Sequence, residues 1–239
     1  MVGIILADYR IETSRVYRFA KNIQNQFPKF EILSPGHYPL KECLGCKSCF
    51  KYGICPLDKD KEDHAVFLKE KLTSADIIII VCPVYAHNVS SDLKRLIDRI
   101  SYWLHLFGLL GKAFLIITTT ASNGSEYVNS YLNKIFSCLG AYRLYVDTFS
   151  YIDTDETTKE KFSKVTDCIQ KYIDGEIKFQ TSEIQNQLFI ESKANFLTYP
   201  KTSYEYQYWL KHGFFQCKNL QEVYEHFILG GDKVPLHIF

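Results

Sequence analysis

Over the first two thirds of the chain, short apolar runs alternate with amphipathic segments. Val2-Gly3-Ile4-Ile5-Leu6 is continuously apolar, as suits a strand covered on both faces of a parallel sheet. Val16, Phe19, Ala20, Ile23 and Phe27 then recur at helical spacing behind Thr13 or Ser14 as cap. Phe30 to Leu33 reads as a second strand, closed by Ser34-Pro35-Gly36; a cysteine-bearing segment follows, then a helix over about Asp63 to Leu72. Asp76-Ile77-Ile78-Ile79-Ile80-Val81 is the plainest buried strand, and Pro83 ends it. Leu93, Leu96, Ile97, Ile100, Leu104 and Phe107 mark one face of a long helix capped by Ser90 or Ser91. Ala113 to Thr118 and Leu144 to Phe149 give two more strands. Helices over Glu126 to Leu139 and over Phe162 to Ile173 follow them, stopped by Gly140 and Gly175.

Strands that each precede a helix predict an α/β fold with a five-stranded parallel sheet and crossover helices on its faces. Ligands of such sheets bind beyond the carboxyl ends of the strands, where the strand order reverses. Three loops would meet there: Ala7 to Ser14, Pro83 to Ser90 and Thr118 to Ser125. From Glu176 the pattern changes to a helical or irregular extension dense in aromatics, among them Phe189, Phe196, Tyr204, Tyr206, Tyr208, Trp209, Phe214, Phe215, Tyr224 and Phe227. The expected organisation is therefore a ligand-binding domain over 1–175 with a cysteine insert at 43–55, and an extension over 176–239. So many aromatics are costly to leave wet, so the extension is expected to be an oligomer interface, in a homodimer or homotetramer, or a lid.

Charge narrows the partners. With 28 basic and 27 acidic residues the net charge is +1, which argues against nucleic acid and anionic membranes. No apolar run approaches the roughly 20 residues of a membrane helix, and Met1 to Leu6 is too short for a secretory signal, so a cytoplasmic protein is expected. In a reducing cytosol the clustered Cys43, Cys46, Cys49 and Cys55 read as metal or redox chemistry. Cys138 and Cys168 fall on apolar helix faces and read as small buried hydrophobes.

The loops carry the candidate chemistry. Free N–H groups at a helix start attract an anion; Thr13 and Ser14 add hydroxyls and Arg10 and Arg15 add charge, although Thr13 and Ser14 also suit plain capping. Pro83-Val84-Tyr85-Ala86-His87-Asn88 offers backbone donors and an aromatic surface to a flat ring, with Tyr85 at its face and the amides of Ala86 to Asn88 at its edge. His87 reads as an exposed loop histidine without a partner. In Thr119-Thr120-Ala121-Ser122-Asn123-Gly124 small residues let the backbone approach a ligand, and they equally describe a turn.

These features resemble the flavodoxin-fold FMN reductases of the NADPH-dependent type, and among them the iron-sulfur flavoproteins. The resemblance rests on Ala75-Asp76 with the isoleucine run, Pro83-Val84-Tyr85, Ser90, Leu93-Lys94 and Ile97-Asp98-Arg99. Cys43-Leu44-Gly45-Cys46-Lys47-Ser48-Cys49 with Gly53, Cys55 and Asp60 is similar to the family's cysteine segment, and Tyr206 to Gly213 to a segment in the tail of its longer members. It implies a flavodoxin-like three-layer sandwich with strand order 2-1-3-4-5, and FMN held by Arg10, Thr13, Ser14, Arg15, Pro83, Val84, Tyr85, Ala86, His87, Asn88, Thr119, Thr120, Ala121, Asn123 and Gly124. It further implies an oxidoreductase or electron-transfer role with NAD(P)H or a redox protein as donor. Where the family opens with Gly-Ser-x-Arg, this chain has Ala7-Asp8-Tyr9-Arg10, which sets a carboxylate near an incoming phosphate unless Asp8 turns away or pairs with Arg10.

The cysteine spacing, C-x2-C-x2-C-x5-C before Pro56, suits a compact four-sulfur centre. A 4Fe-4S cluster fits this run best; structural zinc, which favours two separated pairs, is the alternative. Lys47 and Lys51 would offset the negative charge of such a centre. Two rival readings keep the fold and drop part of the chemistry: an electron carrier without its own substrate, and a zinc-holding protein without flavin.

Overall fold

The structure, a computed structural model, describes residues 1–229; residues 230–239 of the extension and the side chains of Phe227 and Ile228 lie outside the described residues. A parallel sheet is built from β1 (Gly3–Ala7), β2 (Phe30–Leu33), β3 (Ile77–Pro83), β4 (Ala113–Thr120) and β5 (Tyr142–Ser150) in the order β2-β1-β3-β4-β5. Strand β1 pairs with both β2 and β3, so the order reverses beside it. The continuous apolar runs follow from this: the faces of β1, β3 and β4 are both covered, and every residue of β4 is buried.

Alternation along the strands divides the core in two. Ile5, Ile77, Ile79, Leu115 and Ile117 pack against α1 (Arg15–Gln26) and α6 (Asp155–Ile173). Ile4, Leu6, Ile78, Ile80, Phe114 and Ile116 face the opposite layer, with α3 (Ala65–Ser74), α4 (Ser91–Arg99) and α5 (Ser125–Cys138). Between β2 and α3 the cysteine segment forms the short helix α2 (Ser48–Tyr52) and a 3-10 turn at Pro56–Lys59. Cys138 and Cys168, expected in the core, are only half-buried.

The expected long helix through Phe107 divides. Helix α4 ends at Arg99, a 3-10 turn spans Ser101–His105, and Phe107 takes a left-handed φ of 50°. The reason is tertiary. The turn drives Trp103 and Phe107 into the core, where Phe107 meets Phe189, Trp209 and Phe214 of the extension.

The extension folds as α7 (Glu183–Phe196), α8 (Tyr204–Lys211) and α9 (Leu220–Tyr224), and its aromatics join the same core as β3 and β4. Phe189, Trp209 and Phe214 have no exposure, so these three aromatics are covered within the chain. Trp209 Nε1 donates to the carbonyl of His105 at 2.8 Å, and His105 Nδ1 meets Glu205 Oε1 at 2.5 Å. Because extension and sheet share one core, Trp209→Ala is expected to lower the unfolding free energy by about 3–5 kcal/mol. Urea titration should show one shifted transition rather than loss of a separate one.

Candidate functional site

Two depressions hold the candidate chemistry. The first is a crevice of about 710 Å³ between the loops after β1, β3 and β5. Its floor begins at Asp8, directly after β1, and one wall is the start of α1, where the Ser14 hydroxyl accepts from the Tyr17 N–H at 3.1 Å. Ser14 is thus the cap, and the first N–H groups of α1 are left for an anion.

Arg15 borders the crevice. Its guanidinium carbon sits 3.9 Å from the centroid of the Tyr151 ring, and its buried Nη1 has no hydrogen-bond partner. A buried charged donor without an acceptor calls for one, and an anionic ligand group at the head of α1 would supply it. The opposite wall carries Ser90, which caps α4 by accepting from the Leu93 N–H at 3.1 Å, and the buried Asp92. Arg10 pairs with Asp92, not with Asp8. Asp8 is buried with Oδ2 unpartnered. Burial holds its carboxyl above the ordinary range, the Ser90 hydrogen bond opposes this, and the Asp92 charge adds to it. A neutral Asp8 carboxyl is a hydrogen-bond donor and does not repel a phosphate.

Of the residues expected at the ligand, Arg10, Ser14, Arg15, Pro83, Tyr85 and Thr119 line this crevice. Thr13 does not line it. Val84 donates its N–H to the Thr119 carbonyl at 3.0 Å, tying the second loop to β4. Ala86 and His87 form the corner of a tight turn closed by paired Tyr85 and Asn88 backbone bonds of 2.9 Å, both with left-handed φ (48° and 61°). His87 and Asn88 face a separate groove with Tyr127 and Tyr131. His87 does have partners: its Nε2 lies 3.2 Å from Asn123 Oδ1, and its ring stacks on Tyr127. Gly124 admits this, since a Cβ there would stand 2.6 Å from the His87 ring. Thr120 bonds the Asn123 carbonyl at 2.9 Å, and Ala121 lies in the same loop outside the crevice. The third loop therefore contributes chiefly Thr119, and the loop after β5 contributes Tyr151 in its place. Asp92 and Tyr151 escaped the sequence reading; the carboxyl-end rule applied to β5 would have found the second.

The second depression is a cavity of about 240 Å³ lined by Cys43, Cys46, Cys49 and Cys55 together with Phe50, Leu57 and Ser101. Among the described residues no three ligand-type side chains stand close enough to share one ion. The four thiols nonetheless border one space. Four thiols are the donor set that an all-sulfur centre, a cluster or a zinc ion, would use. A hydrogen bond with Ser48 holds the Cys46 thiol below its ordinary range, and burial raises that of Cys49.

A parallel α/β sheet with a phosphate-suited crevice at its switch point defines a nucleotide- or flavin-binding class of protein. The sequence profile of the NADPH-dependent FMN reductase family matches residues 2–151, and the chain belongs to that family of oxidoreductases. It is 27% identical over 202 residues to an iron-sulfur flavoprotein of Archaeoglobus fulgidus, covering 81% of this chain and 89% of that one. An iron-sulfur flavoprotein of Clostridioides difficile is 26% identical over 164 residues, covering 64% and 70%. Among solved structures, an FMN-dependent NADH-azoreductase of Bacillus anthracis in complex with FMN superposes with a TM-score of 0.55 at 15% identity, over 72% of this chain and 98% of that one. Among the described residues no helix is long and apolar enough to cross a membrane.

The raised Asp8 carboxyl has a testable sign. A folded-state value above the unfolded one means that its contribution to stability is present at low pH and lost as pH rises through the folded value. Asp8→Asn is therefore expected to be more stable than the parent at about pH 7, the gap closing as pH falls toward about 4. Urea unfolding across that range checks it.

Proposed function

We propose that this chain is an FMN-dependent oxidoreductase that takes electrons from NAD(P)H or a redox-protein donor, with Cys43, Cys46, Cys49 and Cys55 holding a 4Fe-4S cluster. The observation that carries the reading is Arg15: a buried guanidinium nitrogen without an acceptor, in the wall of a crevice at the head of α1. There it would bind the FMN phosphate with the first N–H groups of α1 and the Ser14 hydroxyl. Tyr85 would lie against the ring. The N–H groups of Ala86 and His87, which make no backbone hydrogen bond, are available to its polar edge. Bound FMN would exchange two-electron hydride chemistry for single electrons, and a cluster passes electrons singly.

The chain's own contribution is placement. Helix α4 begins at the crevice, where Ser91 and Asp92 line it, and the turn after it brings Ser101 to the cysteine cavity. Nine residues at 1.5 Å each separate the two walls by about 14 Å along that axis. Exposed Ile11, Tyr85, Tyr151 and Ile152 rim the crevice side and support a homo-oligomer that covers them. Sedimentation at micromolar concentration is expected to give a multiple of the chain mass; a single-chain mass would count against it.

Reconstitution with FMN is expected to give stoichiometric binding and a flavin spectrum. Arg15→Gln should weaken FMN binding by about 10- to 100-fold, as loss of a charge-assisted bond implies. Unchanged affinity in that variant would remove the phosphate from this position. Anaerobically prepared protein should carry iron and acid-labile sulfide in about equal amounts; zinc alone would end the cluster reading.

A further inference from the structure

We propose that Arg99 is the positioning residue of the cysteine cage: its single buried guanidinium ties the entry of the 43–55 segment to its exit, so that the segment is held in place before any metal arrives. The proposal takes from the preceding reading only what the cage holds; how the cage is held stands on contacts within this chain.

Arg99 is the last residue of α4, and its side chain has no exposure. Nη1 donates to the carbonyl of Lys41 at 3.1 Å and pairs with Asp63; Nη2 donates to Asp58 Oδ1 at 2.9 Å. Lys41 stands just before Cys43 and Asp58 just after Cys55. The entry is held a second time, because the Lys41 N–H donates to Asp63 Oδ2 at 2.9 Å while Asp63 Oδ1 accepts from the Ala65 N–H at 2.8 Å. The exit is held a second time by Lys69, also without exposure, which donates to Asp58 Oδ2 at 2.7 Å. Two cations and two carboxylates so balance one another in the interior.

Buried ion clusters commonly do no more than brace neighbouring helices, and this one does join α3 to α4. What singles out the cage is that both ends of the cysteine segment converge on one fork-shaped group, whose geometry lysine cannot reproduce. Within the segment the chain is also ordered by its own bonds. The N–H of Lys51 reaches the Lys47 carbonyl at 3.1 Å, that of Gly53 the Cys49 carbonyl at 3.0 Å and that of Asp58 the Cys55 carbonyl at 3.0 Å. Gly53 takes a left-handed φ of 73° against Tyr204 of α8, where a Cβ would stand 2.4 Å from the ring. Small metal-binding segments without such ties are unfolded until the metal binds. Here loop closure is already met by the protein.

The test uses the full chain made metal-free with chelator and reductant, followed by hydrogen exchange and by titration with Co²⁺, whose thiolate bands report binding. The amides of Lys51, Gly53 and Asp58 are expected to be protected in the metal-free parent. In Arg99→Met their exchange should rise, and Co²⁺ affinity fall, by about tenfold or more, with strands β3 and β4 still protected. Arg99→Lys, which keeps the charge and not the fork, should recover only part of both. If Arg99→Met does not fold, Asp58→Ala removes both acceptor oxygens at the exit and should shift both readouts in the same direction. The proposal is overturned if the parent's segment exchanges freely until metal is added, or if the variants leave exchange and Co²⁺ affinity unchanged. Protection without uptake of Co²⁺ or iron would remove the metal reading of the cysteines and still support the tie through Arg99.

Discussion

Charge withdrawn from water must be matched within the protein, and the cluster of Arg99, Asp58, Asp63 and Lys69 meets that demand at the point where the most chain segments cross. Arg99 and Asp63 have no side-chain exposure, and their pairing joins α4, the start of α3 and the irregular segment leading into the cysteines. Removing one member of such a cluster typically costs about 3–5 kcal/mol, because the others stay buried and unmatched. The gain over an apolar substitute is small. What the cluster supplies is register: it admits one alignment of α4 against the cysteine segment, where apolar packing alone would tolerate several. Both depressions inherit that alignment. The amino end of α4 is set at the crevice by the Ser90 cap and the Asp92–Arg10 pair, and its carboxyl end by Arg99.

The extension completes this frame. Phe50 of the cysteine helix packs edge-on to Tyr102 and His105, and His105 is held from the far side by Glu205 and Trp209. Together with Gly53 on Tyr204, this makes α8 the outer support of the cysteine helix. The extension therefore acts through the same face of the sheet that carries α4, and the break in the helix before Phe107 is the local cost of receiving it.

Legibility in the sequence followed the range of the interaction. Strand β3 was plain because five consecutive apolar residues, Ile77 to Val81, need no partner to be recognised as buried on both faces. The caps Ser14 and Ser90 were narrowed to neighbouring pairs, since capping reaches only to the third residue of the helix. The cysteines could be grouped by spacing alone. Asp58, Asp63, Lys69 and Arg99, by contrast, carry no local sign of burial, because the bonds that bury them span up to 58 residues. His87 looked unpartnered for the same reason: Asn123 and Tyr127 lie on another loop. The aromatic extension was recognisable as something that must be covered, and sequence carries no sign of which surface covers it.

The crevice shows how such long-range pairing sets chemistry. Its lining carries two carboxylates, Asp8 and Asp92, and two guanidinium groups, Arg10 and Arg15, which would cancel if each cation faced one acid. They do not pair that way. Asp92 takes Arg10 and, at 3.4 Å, Arg95 from its own helix, so two cations gather on one acid. Asp8 feels the Arg10 charge without pairing with it and is pushed by burial toward its neutral form, while Arg15 is left with an aromatic face and a free donor. The positive charge not yet matched thus collects at the head of α1, where backbone N–H groups already favour an anion. A dianion entering there meets Arg15 uncommitted and an Asp8 whose charged form burial disfavours. The charge that Asp8 brings after β1 is thus countered by burial and not by Arg10, which Asp92 holds.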